Sequence, residues 1–314
     1  MAMDRDRSAK WVFIVNPAAG NGFAGRYMPE LKDEIAKRRI DAKVVLTKAR
    51  GHATELSLEY ARSGCSHIVG VGGDGTFAEI AQPLVHRRDI VFGAVPAGTG
   101  NGFIHVLGFP NRFTRREWDT FFAGHVMEMD VGRCNGVYFL NGMGVGFYAQ
   151  AAADNRRGGR DAGGGNPLKH QWRIVKAIFF CRERDMTLTL DERKEQKRAF
   201  LHAIGNGRRF AGGMQLTPKA IANDGLLDVC MIPRLSVPAR LKAFSDVKAL
   251  KIVENPNVRY VRTANMTLEF AEEVPALLDG ELQFSRRFEV TLVPGGLRML
   301  YDPAGEHCFT AKKP

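Results

Sequence analysis

The 314-residue sequence has no run of about 18 apolar residues, so no membrane-crossing helix is expected. Its first residues, MAMDRDRSAK, lack the apolar core of a signal peptide. Cysteine is scarce. Cys65, Cys134, Cys181, Cys230 and Cys308 are far apart, odd in number, and form neither a CxxC pair nor a zinc spacing. Reduced thiols in a cytoplasm are the simplest account of them. His52, His67, His86, His105, His125, His170, His202 and His307 show no ligand spacing either and read as surface or packing residues. There is no internal repeat, no dense basic run and no recognised nucleic-acid module, so no nucleic-acid partner is expected.

Glycine is abundant, with 34 copies, many of them in short clusters between apolar runs. Apolar residues make up 45% and charged residues 25%, the balance of a globular protein with a sizeable core. At about 150 residues per domain the length fits two domains or one large one. Lys and Arg outnumber Asp and Glu by 45 to 34, a formal charge of +11. Such a surface suits phosphorylated metabolites or acidic lipid headgroups, or serves solubility alone.

The first 130 residues alternate between short apolar runs and helical patterns. Strands are expected at 11–15, 43–46, 67–71 and 90–95. Helices are expected at 27–39, 52–63 and 77–86, the last broken at Pro83, with a short one near Gly102. The glycine-rich stretch 16–25 reads as a loop. This alternation predicts a parallel sheet covered by helices, which binds ligands at the carboxyl ends of its strands. The pattern changes near 125–135. Segments 126–131, 137–141, 186–191, 199–205, 226–232, 258–263, 266–270 and 286–293 are short and β-rich. In 186–190 and 266–270 every second residue is apolar, so an antiparallel sandwich or barrel is expected. Residues 153–170, glycine-rich and basic, read as a mobile loop.

Gly72-Gly73-Asp74-Gly75-Thr76 follows an apolar strand and precedes a helix. Glycines let a backbone approach an anion and aim N–H groups at it, and the helix start adds positive potential. Asp74 suits such a site only where it meets a cation or a proton, which points to a metal–nucleotide complex. A second loop, Pro96-Ala97-Gly98-Thr99-Gly100-Asn101-Gly102, and a third, Asn16-Pro17-Ala18-Ala19-Gly20, fall at neighbouring strand ends. A plain strand–turn–helix with a capping Asp is the alternative for the first of these.

Together with Asn223-Asp224-Gly225-Leu226-Leu227-Asp228 and Leu278-Asp279-Gly280-Glu281, these loops resemble the diacylglycerol kinase catalytic-domain family. That family includes bacterial lipid kinases and the sphingosine and ceramide kinases. The resemblance spans nearly the whole chain. It implies an NAD kinase/phosphofructokinase-like α/β domain over 8–130, with about 290–314 returning to it, and a β-rich lipid-binding domain over 131–289. It implies transfer of the γ-phosphoryl group of ATP to a lipid hydroxyl, with Mg²⁺. By motif position Asn16, Thr47, Gly72, Gly73, Asp74, Gly75, Thr76, Phe77, Ala78, Gly98, Thr99 and Asn101 would line the ATP site, with Asp74 also catalytic. Glu281 takes the proton-acceptor position, and Asp224 with the carbonyls of Ile221 and Leu226 matches a structural magnesium site. The implied partner is a lipid substrate at an anionic membrane surface, reached from the cytoplasm.

Two positions depart from the pattern. Gly102 stands where many bacterial members have Asp, which favours a sphingoid or ceramide-like acceptor over diacylglycerol. Ala78 replaces a common Asn, with Glu79 kept. Rival readings are an NAD kinase or phosphofructokinase-like enzyme, which shares the Gly-Gly-Asp-Gly-Thr loop but not the late Asp-Gly-Glu, and a binding regulator without catalysis. The aromatic groups Phe103/Phe109/Phe113 and Phe121/Phe122 read as core. Arg156, Arg157 and Arg160 with Trp172, Phe179 and Phe180 form a candidate membrane-facing flap.

Overall fold

A computed structural model describes residues 10–157, 183–190, 192–210 and 213–310. The chain divides into two compact units. One runs to Val131 and takes in Ala222–Asp224 and the chain from Pro294 onward; the other comprises Gly132–Ile221 and Gly225–Val293.

The first unit alternates β1 (Trp11–Val15), α1 (Ala19–Lys37), β2 (Ala42–Leu46), α2 (His52–Arg62), β3 (His67–Gly72), α3 (Asp74–Ala81), β4 (Val91–Pro96) and α4 (Arg115–Ala123). Its strands are parallel, in the order β2-β1-β3-β4. Phe13 pairs with Val44 on one side and Val69 on the other. The chain leaves β1 toward β2 and crosses back to β3, so the sheet's switch point lies between the tips of β1 and β3, where such sheets bind ligands. Val12 to Val15, Ile68, Val69, Val71 and the whole of β4 are buried, as continuous apolar strands under helices must be.

Three local features differ from the sequence-based expectation. The helix predicted at 77 begins at Asp74, because extended Gly73 serves as its N-cap and the carboxylate suits the positive helix start. α1 begins at Ala19, but Gly20, Asn21 and Gly22 have φ of 60°, 55° and 81°, so a left-handed kink occupies part of the expected loop. α4 was not foreseen; Thr114 and Glu117 form a capping box at its start, and Gly124 closes it in the left-handed region. Pro83 falls in a single 3₁₀ turn after α3. The aromatic groups are core: Phe103, Phe109, Phe113, Trp118 and Phe121 are buried, with ring centroids 5.0 Å apart for Phe109–Phe113 and 5.1 Å for Phe113–Trp118.

β5 (Val126–Cys134) runs out of the first unit into the second. There follow β6 (Val137–Phe139), β7 (Gly142–Gly146), α5 (Phe147–Arg157), β8 (Arg184–Leu190), β9 (Arg193–Gly205), β10 (Leu227–Pro233), α6 (Val237–Lys248), β11 (Arg259–Thr263), β12 (Asn265–Leu278) and β13 (Glu281–Leu300). The pairings within this unit are antiparallel. β9 and β12 each change partner along their length. β9 pairs with β8 through Ala199 and with β7 from Leu201; β12 pairs with β8 through Phe270 and with β7 from Ala276. Both strands therefore bend around one interior, filled by Met186, Leu188, Ile204, Met266, Leu268 and Phe288. The alternation in 186–190 and 266–270 marks this inner face. Beyond Val293, β13 belongs to the first unit, where Met299 pairs in parallel with Phe92 of β4. The expected loop at 153–170 begins inside α5, and Arg160, Trp172, Phe179 and Phe180, with the side chains of Arg156 and Arg157, lie outside the described residues.

Candidate active site

In the first unit, the loops after β1, β3 and β4 are locked to one another by backbone and side-chain bonds. The Asn16 Nδ2 donates to the Thr76 Oγ1 at 3.1 Å, and the Asn16 backbone N–H donates to the Val71 carbonyl at 3.0 Å. These bonds tie the β1 loop to the β3 loop at the switch point. The Asn16 Oδ1 accepts the Ala18 N–H at 3.2 Å, which holds the loop in a tight turn.

The β3 and β4 loops are tied by Asp74. Its Oδ2 accepts the Gly102 N–H at 2.9 Å and its Oδ1 the Phe103 N–H at 3.0 Å. Both N–H groups start the 3₁₀ turn Phe103–His105 and have no partner within it, so the carboxylate caps that turn. Burial pushes the Asp74 carboxyl above the ordinary range, and the two N–H bonds pull the other way. Asp74 thus lies half-buried at the first turn of α3, facing the second loop.

Backbone approaches set the glycines. A Cβ on Gly98 would lie 2.4 Å from the Gly73 Cα, and one on Gly20 would lie 2.4 Å from the Ala97 carbonyl oxygen. No other residue type fits at either point without moving a main chain. Asn101, at φ 48° and buried, braces the second loop by accepting the Gly98 N–H at 2.9 Å and donating to its carbonyl at 3.0 Å.

Of the other expected nucleotide residues, Thr99 is exposed and Gly75 and Thr47 are half-buried. The Thr47 N–H donates to the Val15 carbonyl at 2.9 Å, which keeps it at the β2 tip beside β1. Gly72 closes β3, and a Cβ there would press on Thr76 at 2.6 Å. Phe77 is fully buried, its ring 6.1 Å from Phe103, and Ala78 is buried behind it. Those two side chains pack under the loops, and only their backbone is available to a ligand.

Glu281 lies in the second unit, at the first position of β13, paired with Leu278 across a two-residue turn. Asp279 and Gly280, at φ 44° and 92°, form that turn with both central residues left-handed. The Asp279 carboxylate accepts the N–H groups of Leu140, Asn141 and Gly142, the latter two at 3.0 Å, while its own N–H donates to the Gly142 carbonyl at 3.0 Å. These bonds pin the hairpin to the start of β7 and fix the backbone from which Glu281 projects. The sequence shows Asp279 only as part of the Leu278–Glu281 motif and gives no sign of these partners. Asp224 falls in the first unit and Ile221 and Leu226 in the second. Among the described residues no cluster of three or more His, Cys, Asp or Glu could hold a metal. A magnesium position built from one carboxylate, carbonyls and waters needs no such cluster.

His202, grouped in sequence with ordinary packing histidines, is buried on β9 with its Nε2 unpartnered; burial pushes it down to about 4. In the same unit Phe147, Phe200, Met214, Leu216, Phe244 and Val247 line an apolar cavity beneath α6. No helix among the described residues is long and apolar enough to cross a membrane.

Residues 10–134 match the model of the diacylglycerol kinase catalytic domain, and residues 141–301 match that of the YegS C-terminal NAD kinase beta sandwich-like domain. The chain is 30% identical over 276 residues to the probable lipid kinase YegS of Salmonella paratyphi A, covering 84% of this chain and 87% of that protein. A YegS protein of Salmonella schwarzengrund matches with the same identity and coverage. Among solved structures, a diacylglycerol kinase from Bacillus anthracis superposes with a TM-score of 0.77 at 25% identity, over 94% of this chain and 98% of that one. With its glycine loops locked at the switch point of a parallel sheet and an antiparallel unit carrying the Asp-Gly-Glu hairpin, the chain belongs to the lipid kinase family defined by the diacylglycerol kinase catalytic domain and the YegS-type C-terminal domain.

Proposed function

We propose that this chain is an ATP-dependent lipid kinase that transfers the γ-phosphoryl group to the hydroxyl of a diacylglycerol, ceramide or sphingoid-type acceptor. The observation that carries the reading is the interlocked loop cluster, in which Asn16 bonds Thr76 and Asp74 bonds Gly102 and Phe103. Phosphoryl transfer passes through a loose transition state, so catalysis consists mainly of positioning and charge neutralisation. A loop set held this rigidly supplies positioning. The backbone of Gly72 to Ala78, with Asn16, Thr47, Gly98, Thr99 and Asn101, is assigned to the nucleotide.

Glu281 is assigned as proton acceptor. The lipid hydroxyl oxygen forms the new bond to the γ-phosphorus, the bond to the β,γ-bridging oxygen breaks, ADP leaves, and the hydroxyl proton passes to the Glu281 carboxylate. Asp224, with the carbonyls of Ile221 and Leu226, is assigned to a structural Mg²⁺, and Mg²⁺ carried with ATP would supply positive charge against phosphate oxygens. The first unit is read as nucleotide-binding and the second as lipid-binding. The enzyme is placed in the cytoplasm, acting peripherally at an anionic membrane surface, in keeping with the +11 charge.

The test is an assay with radiolabelled ATP in mixed micelles against a panel of hydroxyl-bearing lipids, with NAD and fructose 6-phosphate as rival acceptors and Mg²⁺ present or chelated. Label in a lipid, lost on chelation, is the expected result. Label in NAD or the sugar phosphate, or in no acceptor, would overturn the reading.

A further inference from the structure

Large apolar side chains exposed to water among the described residues are Leu46, Leu241, Leu250 and Phe284. Two of these sit on α6 and the turn that ends it. The inner face of α6 is accounted for: Ala243 and Val247 are buried against Phe200, Leu216 and Ile232. The outer face carries Leu241, Lys242, Ser245 and Lys248, exposed residues that helical spacing gathers on one side.

Leu250 is costly where it stands. The Lys251 N–H donates to the Asp246 carbonyl at 2.8 Å and the Leu250 N–H to the Val247 carbonyl at 3.2 Å, the bond pair of a Schellman closure. Leu250 occupies the left-handed position of that closure, at φ 61°, where glycine is the usual residue. It pays this backbone strain while its side chain is 54% exposed. More than half of that side chain therefore faces water and not the protein's own core.

The charge around the two leucines is basic. Lys242, Lys248 and Lys251 are exposed, and Arg234 precedes the helix. The Lys248 ammonium lies over the Phe244 ring at 4.8 Å, and Lys242 shares Asp246 at 3.5 Å with a hydrogen bond from Asn255 to the same carboxylate. A second copy packed face to face on this patch would set these lysines against one another. A surface of phosphates over hydrocarbon matches both features.

We propose that α6 and the Leu250 turn form a membrane-docking face for an anionic phospholipid bilayer. Leu241 and Leu250 enter the acyl boundary, and Lys242, Lys248 and Lys251 meet headgroup phosphates. The proposal rests on the lipid-kinase reading for its biological sense, but its test does not. The full-length protein is floated, without ATP or acceptor, on phosphatidylcholine vesicles with and without phosphatidylglycerol. Wild type should bind the anionic vesicles, and the triple reversal Lys242→Glu, Lys248→Glu, Lys251→Glu should bind them about 100-fold more weakly. Leu241→Asp with Leu250→Asp should lose binding by a similar factor, about 100-fold. Leu250→Gly should melt at a higher temperature than wild type and yet bind vesicles less well. Wild-type binding by the reversed or aspartate variants, or a lower melting temperature for Leu250→Gly, would overturn the proposal. So would a wild type that ignores anionic vesicles and instead forms dimers that the aspartate pair dissolves. Vesicle binding through α6 by a protein that phosphorylates no lipid would sink the kinase reading and leave the docking face standing.

Discussion

Gly73 and Gly98 meet across the tips of β3 and β4 so closely that a Cβ on Gly98 would lie 2.4 Å from the Gly73 Cα. The contact sets the spacing of the two glycine loops. Gly98→Ala must therefore drive one main chain away, with a stability cost of about 1–3 kcal/mol typical of overpacking. Because the displaced backbone is the one assigned to phosphates, ATP affinity should fall at least about tenfold, a change of 1.4 kcal/mol or more. Calorimetric titration of ATP into folded variant protein checks this; unchanged affinity would show that the loops do not hold the nucleotide.

Asp74 joins the same loops through Gly102 and Phe103. In Asp74→Asn one oxygen becomes an NH₂ group and faces an N–H donor. The expected loss is about 1.5–3 kcal/mol, the worth of a hydrogen bond to a charged acceptor, read from urea unfolding midpoints. A variant as stable as wild type would mean that the cap on the Phe103 turn is dispensable.

The positions of these loops were legible in the sequence, since glycine clusters at strand ends announce them. The bond from Asp74 was not, because its partners are 28 and 29 residues away and lie in another loop. Asp279 repeats the lesson: Asp-Gly signals a turn, but its acceptor role toward residues 140–142 spans 137 to 139 positions. α4 and α6 were missed although local signals exist. Thr114 and Glu117 carry a capping box, and Ser236 is followed by a proline in the first turn of α6. In β12 the alternation lapses at the register shift against β13 between Glu269 and Val274, which hid its full length of 14 residues.

Asp279→Ala should separate positioning from chemistry. Three N–H groups lose their acceptor, and the turn before Glu281 loosens. A stability loss of about 2–4 kcal/mol is expected, together with reduced kcat and unchanged ATP affinity. Steady-state kinetics at a temperature where the variant is folded check this, and unaltered kcat would rule out a positioning role.

Glu117 gives the fold an acid limit. Burial opposes its ionisation, but bonds from the Thr114 hydroxyl and N–H and from Arg116 outweigh it and hold the carboxyl at about 2. A depressed carboxyl contributes stability that is present above the ordinary carboxylate range and lost as pH falls toward 2. Glu117→Gln should cost about 1 kcal/mol at neutral pH, as loss of a cap does, and the gap to wild type should shrink on acidification. Urea melts at a series of pH values check the trend; a gap that widens in acid would contradict it.

The most direct test of the account is turnover by Glu281→Ala beside wild type, with ATP binding measured on the same preparations. The expected result is a fall in lipid phosphorylation of about 10²- to 10⁴-fold, the range for loss of a general base, with ATP affinity intact. Equal turnover by the two proteins would contradict the assignment of Glu281 as the group that takes the lipid's proton.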